Sequence, residues 1–447
     1  MSMKLQIPAQ HVELTGKVQR CLLIAEQHGF SIGDIELGVS QTCTFRLLSD
    51  DTNVEFALTS ALKAEERTTH ILKFVLDYDS QPPLFDAKNL LVEKPSVIFI
   101  GSFHENHAVD IWRCGDEIRS QITSDKQKDL RDESQGTHST LESHLAWLIT
   151  SLCLGFPIED ALVLARASIS VKADSDIYDV SRETWPVDFS TFPVPALMPS
   201  KLNAELKPSQ ADTLHQSQPI SPVAFKALRK DSLGLYPVVS NAEWIEKLLL
   251  LGVKTIQLRV KDPSTADLEE QIVQAIRLGE KYQAQVFIND YWELAIKHGA
   301  FGVHLGQEDI ETTDLQKIAT SGMCLGVSTH GYHELLRISQ LSPSYTALGH
   351  IFPTTTKQMP SKPQGLTRLK LYQGLINQMN DNSQESGIPT VAIGGIDLST
   401  ASMVWSCGVS SLAVVRAITL STNPRETIAD FNNIINAYQE RTEEVLC

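Results

Sequence analysis

The sequence contains few cysteines, no long hydrophobic run and no cluster of basic residues. Its seven cysteines are scattered, odd in number and without a CxxC pair, which argues against a disulfide framework or a zinc cage and predicts reduced thiols in a cytoplasmic protein. No apolar run approaches the roughly 20 residues that span a bilayer, and the N-terminal stretch lacks the apolar segment of a signal peptide. The net charge of -16, without a Lys/Arg-rich run, argues against nonspecific nucleic-acid binding. We therefore expect neither membrane nor nucleic-acid partners.

The first part of the chain has a mixed α/β pattern. Helical patterns are present at residues 16–29 and 56–77, and SVIFIG at 96–101 is typical of a buried strand. Two further helices are predicted, one capped by Thr140 and one over residues 158–169.

Apolar periodicity disappears after about residue 173, where Pro, Ser and Gln become frequent. We interpret residues 201–232 as an interdomain linker and residues 173–200 as the tail of the first domain. The predicted organisation is therefore a first α/β domain at 1–200 and a second domain at 233–447.

From residue 233 a strand–helix pattern repeats to the C-terminus. Eight short apolar runs, from LGLYPVVS to SLAVVRAI, each precede an amphipathic stretch within roughly 210 residues. A doubly wound open sheet would also alternate, but eight units in this length favour a closed (β/α)8 TIM barrel. The active face of such a barrel lies at the C-terminal ends of its strands.

Polar residues stand at the ends of three consecutive predicted strands. In QLRVK at 257–261, an amide and two cations alternate with two apolar side chains, so the polar groups share one face of the strand end. The next two strands are followed by acids, Asp290 and Asp309. Mg²⁺ commonly takes one or two carboxylates and shares phosphate oxygens with its substrate. This combination predicts a Mg²⁺–polyphosphate site.

The later predicted strands end in groups that suit a second anion. Ser328 ends the fifth strand, and three threonines and Lys357 follow the sixth. Two glycines at 394–395 follow the seventh strand, and Val415 and Arg416 end the eighth. Barrels commonly hold a phosphate at the seventh and eighth strands through backbone N–H groups. The sequence thus predicts a metal-bound diphosphate and, separately, a monophosphate.

These motifs together resemble thiamine phosphate synthase. The resemblance covers residues 233–447 and rests on QLRVK, FINDYWELAIKHGAFGVHLGQEDI, LGVSTH, GHIFPTTTKQMPSKPQGL and TVAIGGI, in order and at barrel spacing. It implies a transferase that joins 4-amino-2-methyl-5-(diphosphooxymethyl)pyrimidine, the pyrimidine diphosphate, to 4-methyl-5-(2-phosphooxyethyl)thiazole, the thiazole phosphate. The products would be thiamine phosphate and pyrophosphate.

The resemblance also implies roles for individual residues. The pyrimidine diphosphate would be held by Gln257, Leu258, Arg259, Val260, Lys261, Asn289, Ser328 and Lys357. The catalytic subset would be Arg259, Lys261, Ser328 and Lys357. The thiazole phosphate would be held by Thr354, Thr355, Thr356, Gly395, Val415 and Arg416, and Mg²⁺ by Asp290 and Asp309. The family has serine where this chain has Arg416, so a backbone N–H contact survives there and a hydroxyl contact does not.

The first domain has a shorter resemblance. About 75 residues, including SVIFIG, DIWRCGDEI and the stretch from GTHS to LVLARA, resemble the C-terminal part of hydroxymethylpyrimidine (phosphate) kinases of the ribokinase-like fold. Those kinases have GTGC at the helix start, which forms an anion hole. Here His138 adds bulk and Ser139 replaces the thiol. We therefore predict a degenerate, non-catalytic kinase-like domain at 1–200.

Three functions are open at this point. They are a synthase with a degenerate kinase-like domain, a bifunctional kinase and synthase, and a non-catalytic sensor of thiamine intermediates. The GTHS stretch speaks against the second. The acid pair Asp290 and Asp309 speaks against the third, because a sensor needs no metal that activates a leaving group. We expect structural roles for His104 and His107 and a satisfied barrel histidine at His304. For His330 and His333 we expect surface or capping roles, with substrate contact as the alternative.

Overall fold

A computed structural model describes residues 2–50, 53–61, 73–104, 107–123, 138–169, 184–197, 225–354, 362–381 and 387–446. The chain forms two compact units, Met1–His215 and Gln216–Cys447, and their boundary lies within the predicted linker. Within the described ranges no helix combines the length and hydrophobicity needed to cross a membrane. The cysteines of these ranges are free thiols.

The first unit is built on one mixed sheet. Its strands are β1 (Met3–Pro8), β2 (Ile35–Ser40), β3 (Phe45–Leu48), β4 (Asn53–Leu58), β5 (Phe74–Asp77), β6 (Val97–His104), β7 (His107–Cys114), β8 (Glu117–Ile122) and β9 (Val194–Pro195). They are ordered β2-β1-β3-β4-β5-β6-β7-β8-β9. The pairs β1–β2, β4–β5 and β5–β6 are parallel, and the other pairs are antiparallel.

The helices of the first unit are α1 (Leu14–Gln27), α2 (Leu84–Glu93), α3 (His138–Cys153) and α4 (Ile158–Ile169). The predictions of a strand at 96–101 and of helices at 16–29, after residue 140 and at 158–169 are confirmed. The predicted cap at Thr140 is wrong, because α3 already begins at His138 and Thr140 lies inside it. The predicted helix at 56–77 is wrong, because its ends lie in strands β4 and β5, which pair in parallel with Phe56 opposite Phe74. Both ends are short apolar runs, and periodicity alone cannot separate such a run in a buried strand from a helix.

A buried ion pair fixes helix α4 to the sheet of the first unit. Asp110 on β7 and Arg166 on α4 are 0% and 1% exposed and form two hydrogen bonds, one from Arg166 Nε at 2.8 Å. The carboxylate also accepts from Gln121 Nε2 at 2.8 Å and from the Gly101 N–H at 2.9 Å. Burial opposes ionisation of Asp110, but Arg166 outweighs it and lowers the pKa of the carboxyl below its usual value. Removal of either partner would leave an uncompensated buried charge.

His144 on α3 lies beside this pair as a neutral ring. Its Nδ1 is 2.9 Å from the hydroxyl of Tyr78. Burial, with the nearby charge of Arg166, lowers the pKa of His144 to about 3. Burial likewise raises the pKa of Tyr78 above its ordinary value, so Tyr78 keeps its hydrogen and the bond joins two neutral groups.

The second unit is a closed barrel of parallel strands, which confirms the predicted (β/α)8 architecture. Its strands are β10 (Gly234–Val239), β11 (Thr255–Leu258), β12 (Gln285–Asn289), β13 (Gly302–Leu305), β14 (Cys324–Thr329), β15 (Tyr345–Gly349), β16 (Thr390–Ile393) and β17 (Ser411–Val414). Strand β10 pairs with both β11 and β17, which closes the sheet.

Helices follow the strands around the outside of the barrel. They are α5 (Ala242–Leu250), α6 (Leu268–Tyr282), α7 (Trp292–His298), α8 (Gln307–Thr312), α9 (Leu315–Thr320), α10 (Tyr332–Ser339), α11 (Gly365–Asp381), α12 (Ala401–Trp405), α13 (Arg416–Thr419) and α14 (Pro424–Leu446).

Aromatic rings fill the barrel interior where neighbouring strands carry glycine. A Cβ at Gly302 would lie 2.6 Å from the Phe287 ring, and a Cβ at Gly326 would lie 2.1 Å from the Tyr345 ring. The rings of Phe287 and Tyr345 meet edge to face, with centroids 5.2 Å apart. The glycines at these two positions thus make room for the rings that fill the interior.

The end of the predicted linker packs against the N-terminal end of the barrel. Phe225 and Leu228 are buried, and Leu228 joins the apolar cluster of the barrel interior. The Ser344 hydroxyl donates to the Lys226 carbonyl at 2.6 Å, and the Lys226 ammonium lies 4.9 Å from the Phe301 ring centroid. The packed barrel therefore begins before residue 233, because these side chains cover its otherwise open lower end.

We expect His144 to make the stability of the first unit depend on pH. The unfolded chain protonates this residue below its ordinary pKa of 6.5, whereas the folded state resists protonation until about pH 3. Stability is therefore lost as pH falls through this window, by up to about 1.4 kcal/mol per pH unit. The variant His144→Gln should show a smaller loss of unfolding free energy between pH 7 and pH 5.

Labelling of the buried Cys153 thiol during urea unfolding, resolved by peptide mass spectrometry, reports on the first unit alone. A methanethiosulfonate reagent is used to label the thiol at both pH 7 and pH 5. Equal pH dependence in the two proteins would show that His144 is not the group responsible.

Candidate active site

A cavity of about 980 Å³ opens at the C-terminal ends of the barrel strands. Every strand contributes, from Val238 on β10 to Val414 on β17. This is the face where TIM barrels carry their active sites, because the loops that follow the strands converge there.

Most of the residues predicted from the sequence line this cavity. They are Gln257, Arg259, Lys261, Asn289, Asp290, Asp309, Ser328, Thr354, Gly395, Val415 and Arg416. The side chain of Leu258 is instead 1% exposed within the barrel wall, and the carbonyl of Val260 accepts a hydrogen bond from Tyr291 Oη at 3.1 Å. Thr355, Thr356 and Lys357 lie outside the described residues.

The end of β11 directs two cations into the cavity. Arg259 N donates to the Val239 carbonyl at 2.7 Å, which extends the pairing of β10 and β11 beyond the strand itself. Extended backbone places alternate side chains on one face. Arg259 and Lys261 therefore line the cavity together with Gln257, as predicted. The bond from Tyr291 to Val260 ties this strand end to the loop after β12.

The two acids are held in place by different backbone conformations and hydrogen bonds. Asp290 has a φ of 67°, a left-handed conformation that aspartate tolerates better than most residues, and its N–H donates to the His304 carbonyl at 3.0 Å. Asp309 lies in the first turn of α8, where its Oδ2 accepts from the Gly306 N–H at 3.0 Å. Both carboxylates line the cavity.

The donor set at these acids fits magnesium. Within the described ranges no three His, Cys, Asp or Glu side chains gather as a cage for a metal. Mg²⁺ does not need one, because it keeps several waters and binds through one or two carboxylates plus substrate phosphates. Asp290 and Asp309 provide two such carboxylates in the cavity that Arg259 and Lys261 also line.

A glycine turn after β16 forms the opposite wall of the cavity. Gly394 has a φ of 104°, and a Cβ there would lie 2.4 Å from His350 Cβ. Gly395 has a φ of 66°, and a Cβ there would lie 2.8 Å from Phe352 Cβ. Phe352 N donates to the Gly394 carbonyl at 3.0 Å, so two loop backbones pack directly on each other. Such a turn lets backbone N–H groups approach an anion closely.

Ser328 is fixed at both its side chain and its backbone. Its Oγ lies 2.9 Å from His304 Nε2, and its carbonyl accepts from Gln307 Nε2 at 2.6 Å. Arg337 Nη2 in turn donates to Gln307 Oε1 at 2.9 Å. His304 was expected to be a satisfied barrel histidine, and the structure confirms this.

Three histidines line the cavity although none was among the predicted site residues: His304, His330 and His350. Glu334 Oε2 lies 2.8 Å from both the ring Nδ1 and the backbone N of His330. Burial opposes ionisation of Glu334, but these bonds outweigh it and lower its pKa. Burial lowers the pKa of His350, with a smaller effect of His330 in the same direction, so its ring is neutral near pH 7. In the sequence, only the motif GHIF places His350 at the end of a strand. A histidine at a strand end does not by itself indicate a site residue.

The barrel is similar to proteins of known family. The family model Thiamine monophosphate synthase matches residues 235–418. A thiamine-phosphate synthase from Proteus mirabilis is 58% identical over 191 residues, which are 43% of this chain and 85% of that protein. One from Yersinia pseudotuberculosis is 52% identical over 212 residues, which are 47% of this chain and 94% of that protein. A solved thiamine phosphate pyrophosphorylase from Pyrococcus furiosus is 26% identical, covers 46% of this chain and 98% of its own, and has a TM-score of 0.40.

We expect Gly394→Ala to destabilise the barrel by about 2–4 kcal/mol, because it adds left-handed strain and a steric clash with His350. Gly374→Ala is the matched control. Gly374 lies within α11 with nothing within 4 Å of an added Cβ, so alanine there should stabilise by about 0.5–1 kcal/mol. Urea unfolding of both variants gives the two free energies. Equal values would show that the Gly394 turn tolerates a side chain.

Proposed function

The chain belongs to the thiamine-phosphate synthase family, and we propose that its barrel joins the pyrimidine diphosphate to the thiazole phosphate, releasing pyrophosphate. The observation that carries the proposal is the set of groups that line one cavity. Arg259, Lys261, the carboxylates of Asp290 and Asp309 and a glycine turn line it together, on the ends of different strands. The cations and the glycine turn suit a polyanion directly, and the two carboxylates suit one through Mg²⁺, although the chain as a whole has a net charge of -16.

The diphosphate of the pyrimidine substrate binds at the ends of β11 to β14. Arg259 and Lys261 supply positive charge, and Asn289 and Ser328 supply hydrogen bonds. Lys357 is proposed as a further contact from the family resemblance. Asp290 and Asp309 hold Mg²⁺, which when bound neutralises negative charge on the diphosphate. Arg259 and Lys261 act on the same developing charge, which makes the diphosphate a better leaving group.

The thiazole phosphate binds at the ends of β15 to β17. Thr354 and the turn at Gly395 face the cavity, next to Val415 and the first residue of α13, Arg416. Thr355 and Thr356 complete the threonine run of this site by the family resemblance. The backbone N–H groups of this region hold the phosphate, so the family's serine at position 416 is not required.

The reaction needs no proton transfer. The bond between the pyrimidine methylene carbon and the diphosphate oxygen breaks, and its electron pair leaves with pyrophosphate. The lone pair of the thiazole ring nitrogen then forms the new carbon–nitrogen bond to that methylene carbon. The cavity therefore works through charge stabilisation and alignment of the two substrates, and no side chain is assigned as a general base.

For the first unit we propose a degenerate kinase-like domain without catalysis. Its mixed α/β sheet with helices is compatible with the resemblance to hydroxymethylpyrimidine kinases. The GTGC motif of those kinases is replaced by GTHS at 136–139, of which residues 136 and 137 lie outside the described part of the chain. Histidine at 138, in place of the glycine of those kinases, adds bulk where their backbone approaches phosphate, which supports the proposal.

The purified chain, mixed with both substrates and Mg²⁺, should form thiamine phosphate, and a chelator should abolish product formation. Asp290→Asn removes one charge while keeping a residue that tolerates a left-handed φ. We expect it to lower kcat/KM at least ~100-fold. Asp430→Ala, on the exposed face of α14, is the control and should keep full activity.

Circular dichroism of the Asp290→Asn variant verifies that the barrel is folded. Near-normal Mg²⁺-dependent turnover by this variant would remove Asp290 from the metal site. Absence of product with the unchanged chain would overturn the synthase assignment.

The full chain should not phosphorylate hydroxymethylpyrimidine from ATP. Chromatographic detection of the pyrimidine monophosphate, after long incubation with ATP and Mg²⁺, measures this directly. Time-dependent product that scales with protein concentration would make the chain bifunctional and contradict a degenerate first domain.

A further inference from the structure

Five polar side chains form a continuous network through the barrel interior. Gln257 Nε2 lies 3.3 Å from the Tyr236 hydroxyl, which lies 2.8 Å from the Tyr345 hydroxyl. His304 Nδ1 is 2.8 Å from Tyr345 Oη, and His304 Nε2 is 2.9 Å from Ser328 Oγ. We call these five residues the interior network. Both of its ends, Gln257 and Ser328, line the cavity.

The middle of the network is buried, although His304 also lines the cavity. Tyr236, Tyr345 and His304 are all buried, and the rings of Tyr345 and His304 stack with centroids 5.7 Å apart. Burial raises the pKa of both tyrosines above the ordinary range, so each keeps its hydrogen at neutral pH. A buried donor that finds no acceptor costs about 1–3 kcal/mol. The hydrogens of the network must therefore be arranged so that each one is accepted.

One end of the network sets the direction of the hydrogen bonds. The Gln257 amide nitrogen can only donate, so the Tyr236 oxygen accepts and its hydrogen goes to Tyr345. Tyr345 then donates to His304 Nδ1, which must carry no hydrogen. His304 consequently has its hydrogen on Nε2 and donates it to Ser328 Oγ. The Ser328 hydrogen is left to point into the cavity.

The opposite direction is the alternative. It requires the Gln257 amide to be turned so that its oxygen faces Tyr236, and it places the histidine hydrogen on Nδ1. Ser328 would then donate to His304 and present only lone pairs to the cavity. Lone pairs repel an anion, whereas a hydroxyl hydrogen stabilises it. A diphosphate in this cavity therefore favours the first direction.

We propose that His304, held by Tyr345 as the Nε2–H tautomer, is a positioning residue that keeps the Ser328 hydroxyl as a hydrogen-bond donor to the departing diphosphate. The proposal rests on the proposed function for the identity of the anion. Aligned hydrogen bonds polarise one another, which makes the last donor of the network stronger. Gln307 holds the Ser328 carbonyl at 2.6 Å, so the hydroxyl is aimed from a fixed backbone.

The packing of the barrel leaves room for this network. Tyr345 reaches His304 across the interior only because Gly326 on the neighbouring strand has no Cβ, which would come within 2.1 Å of its ring. A phenylalanine at 345 fills the same volume without the hydroxyl. Tyr345→Phe therefore separates the hydrogen bond from the packing.

The first test reads the tautomer of His304 directly. In protein labelled with ¹⁵N at histidine, the ring nitrogens of His304 are assigned by their loss in His304→Gln. The spectrum is recorded with Mg²⁺ and inorganic pyrophosphate as the anion. We expect a protonated Nε2 and an unprotonated Nδ1. A hydrogen on Nδ1 would overturn the proposal.

The second test is a double-mutant cycle on kcat with both substrates. We expect Ser328→Ala to lower kcat by about 100-fold and Tyr345→Phe by about tenfold. If Tyr345 acts through Ser328, the double variant should be no slower than Ser328→Ala alone. Losses that multiply in the double variant would assign Tyr345 a separate structural role and overturn the proposal.

Tyr372→Phe is the matched control for loss of a buried tyrosine hydroxyl. Tyr372 packs against Tyr332, with ring centroids 4.7 Å apart, and does not line the cavity; kcat should not change. The tautomer is measured on unmodified protein, so it decides the proposal even if Tyr345→Phe fails to fold. If the unmodified chain makes no thiamine phosphate, the proposed function fails, and a wrong tautomer in an active enzyme refutes the positioning role alone.

Discussion

Closure of the parallel sheet is the constraint on which the second unit depends. Strand β10 pairs with β17 from Gly234 opposite Ser411 to Pro237 opposite Val414, as well as with β11. Because all the barrel strands run in one direction, their C-terminal ends meet on a single rim. Residues as distant in sequence as Arg259 and Arg416 therefore line one cavity. The barrel topology thus brings positive charges together at this rim, although the chain is acidic overall.

The closed sheet also limits the space inside it, and this joins stability to chemistry. The ring of Tyr345 belongs to the apolar cluster that fills the barrel, and its hydroxyl belongs to the interior network. Gly326 makes room for both roles at once. A side chain that served packing alone could be exchanged for another of similar volume. Tyr345 cannot be exchanged in this way, because the loss of its hydroxyl would leave two buried partners unsatisfied.

The barrel and much of its cavity could be predicted from the sequence because the signals are local. The alternation in QLRVK placed Arg259 and Lys261 on one face, and both line the cavity. The same motif also included Leu258, whose side chain is in the wall, since a motif does not distinguish backbone from side-chain contacts. The helix predicted at 56–77 is wrong because a central helical pattern masked two apolar strand ends. His350 and the interior network depend on contacts between residues far apart in sequence, which no local pattern contains.

The packing of residues 225–232 on the lower end of the barrel has a kinetic consequence. Phe225 and Leu228 close that end, and the interior behind the cavity is filled by aromatic rings. Substrates and products must therefore pass through the same mouth at the upper rim. Both ligands then exchange with solvent across one rim, so an obstruction at that rim would slow the entry and the release of both at once.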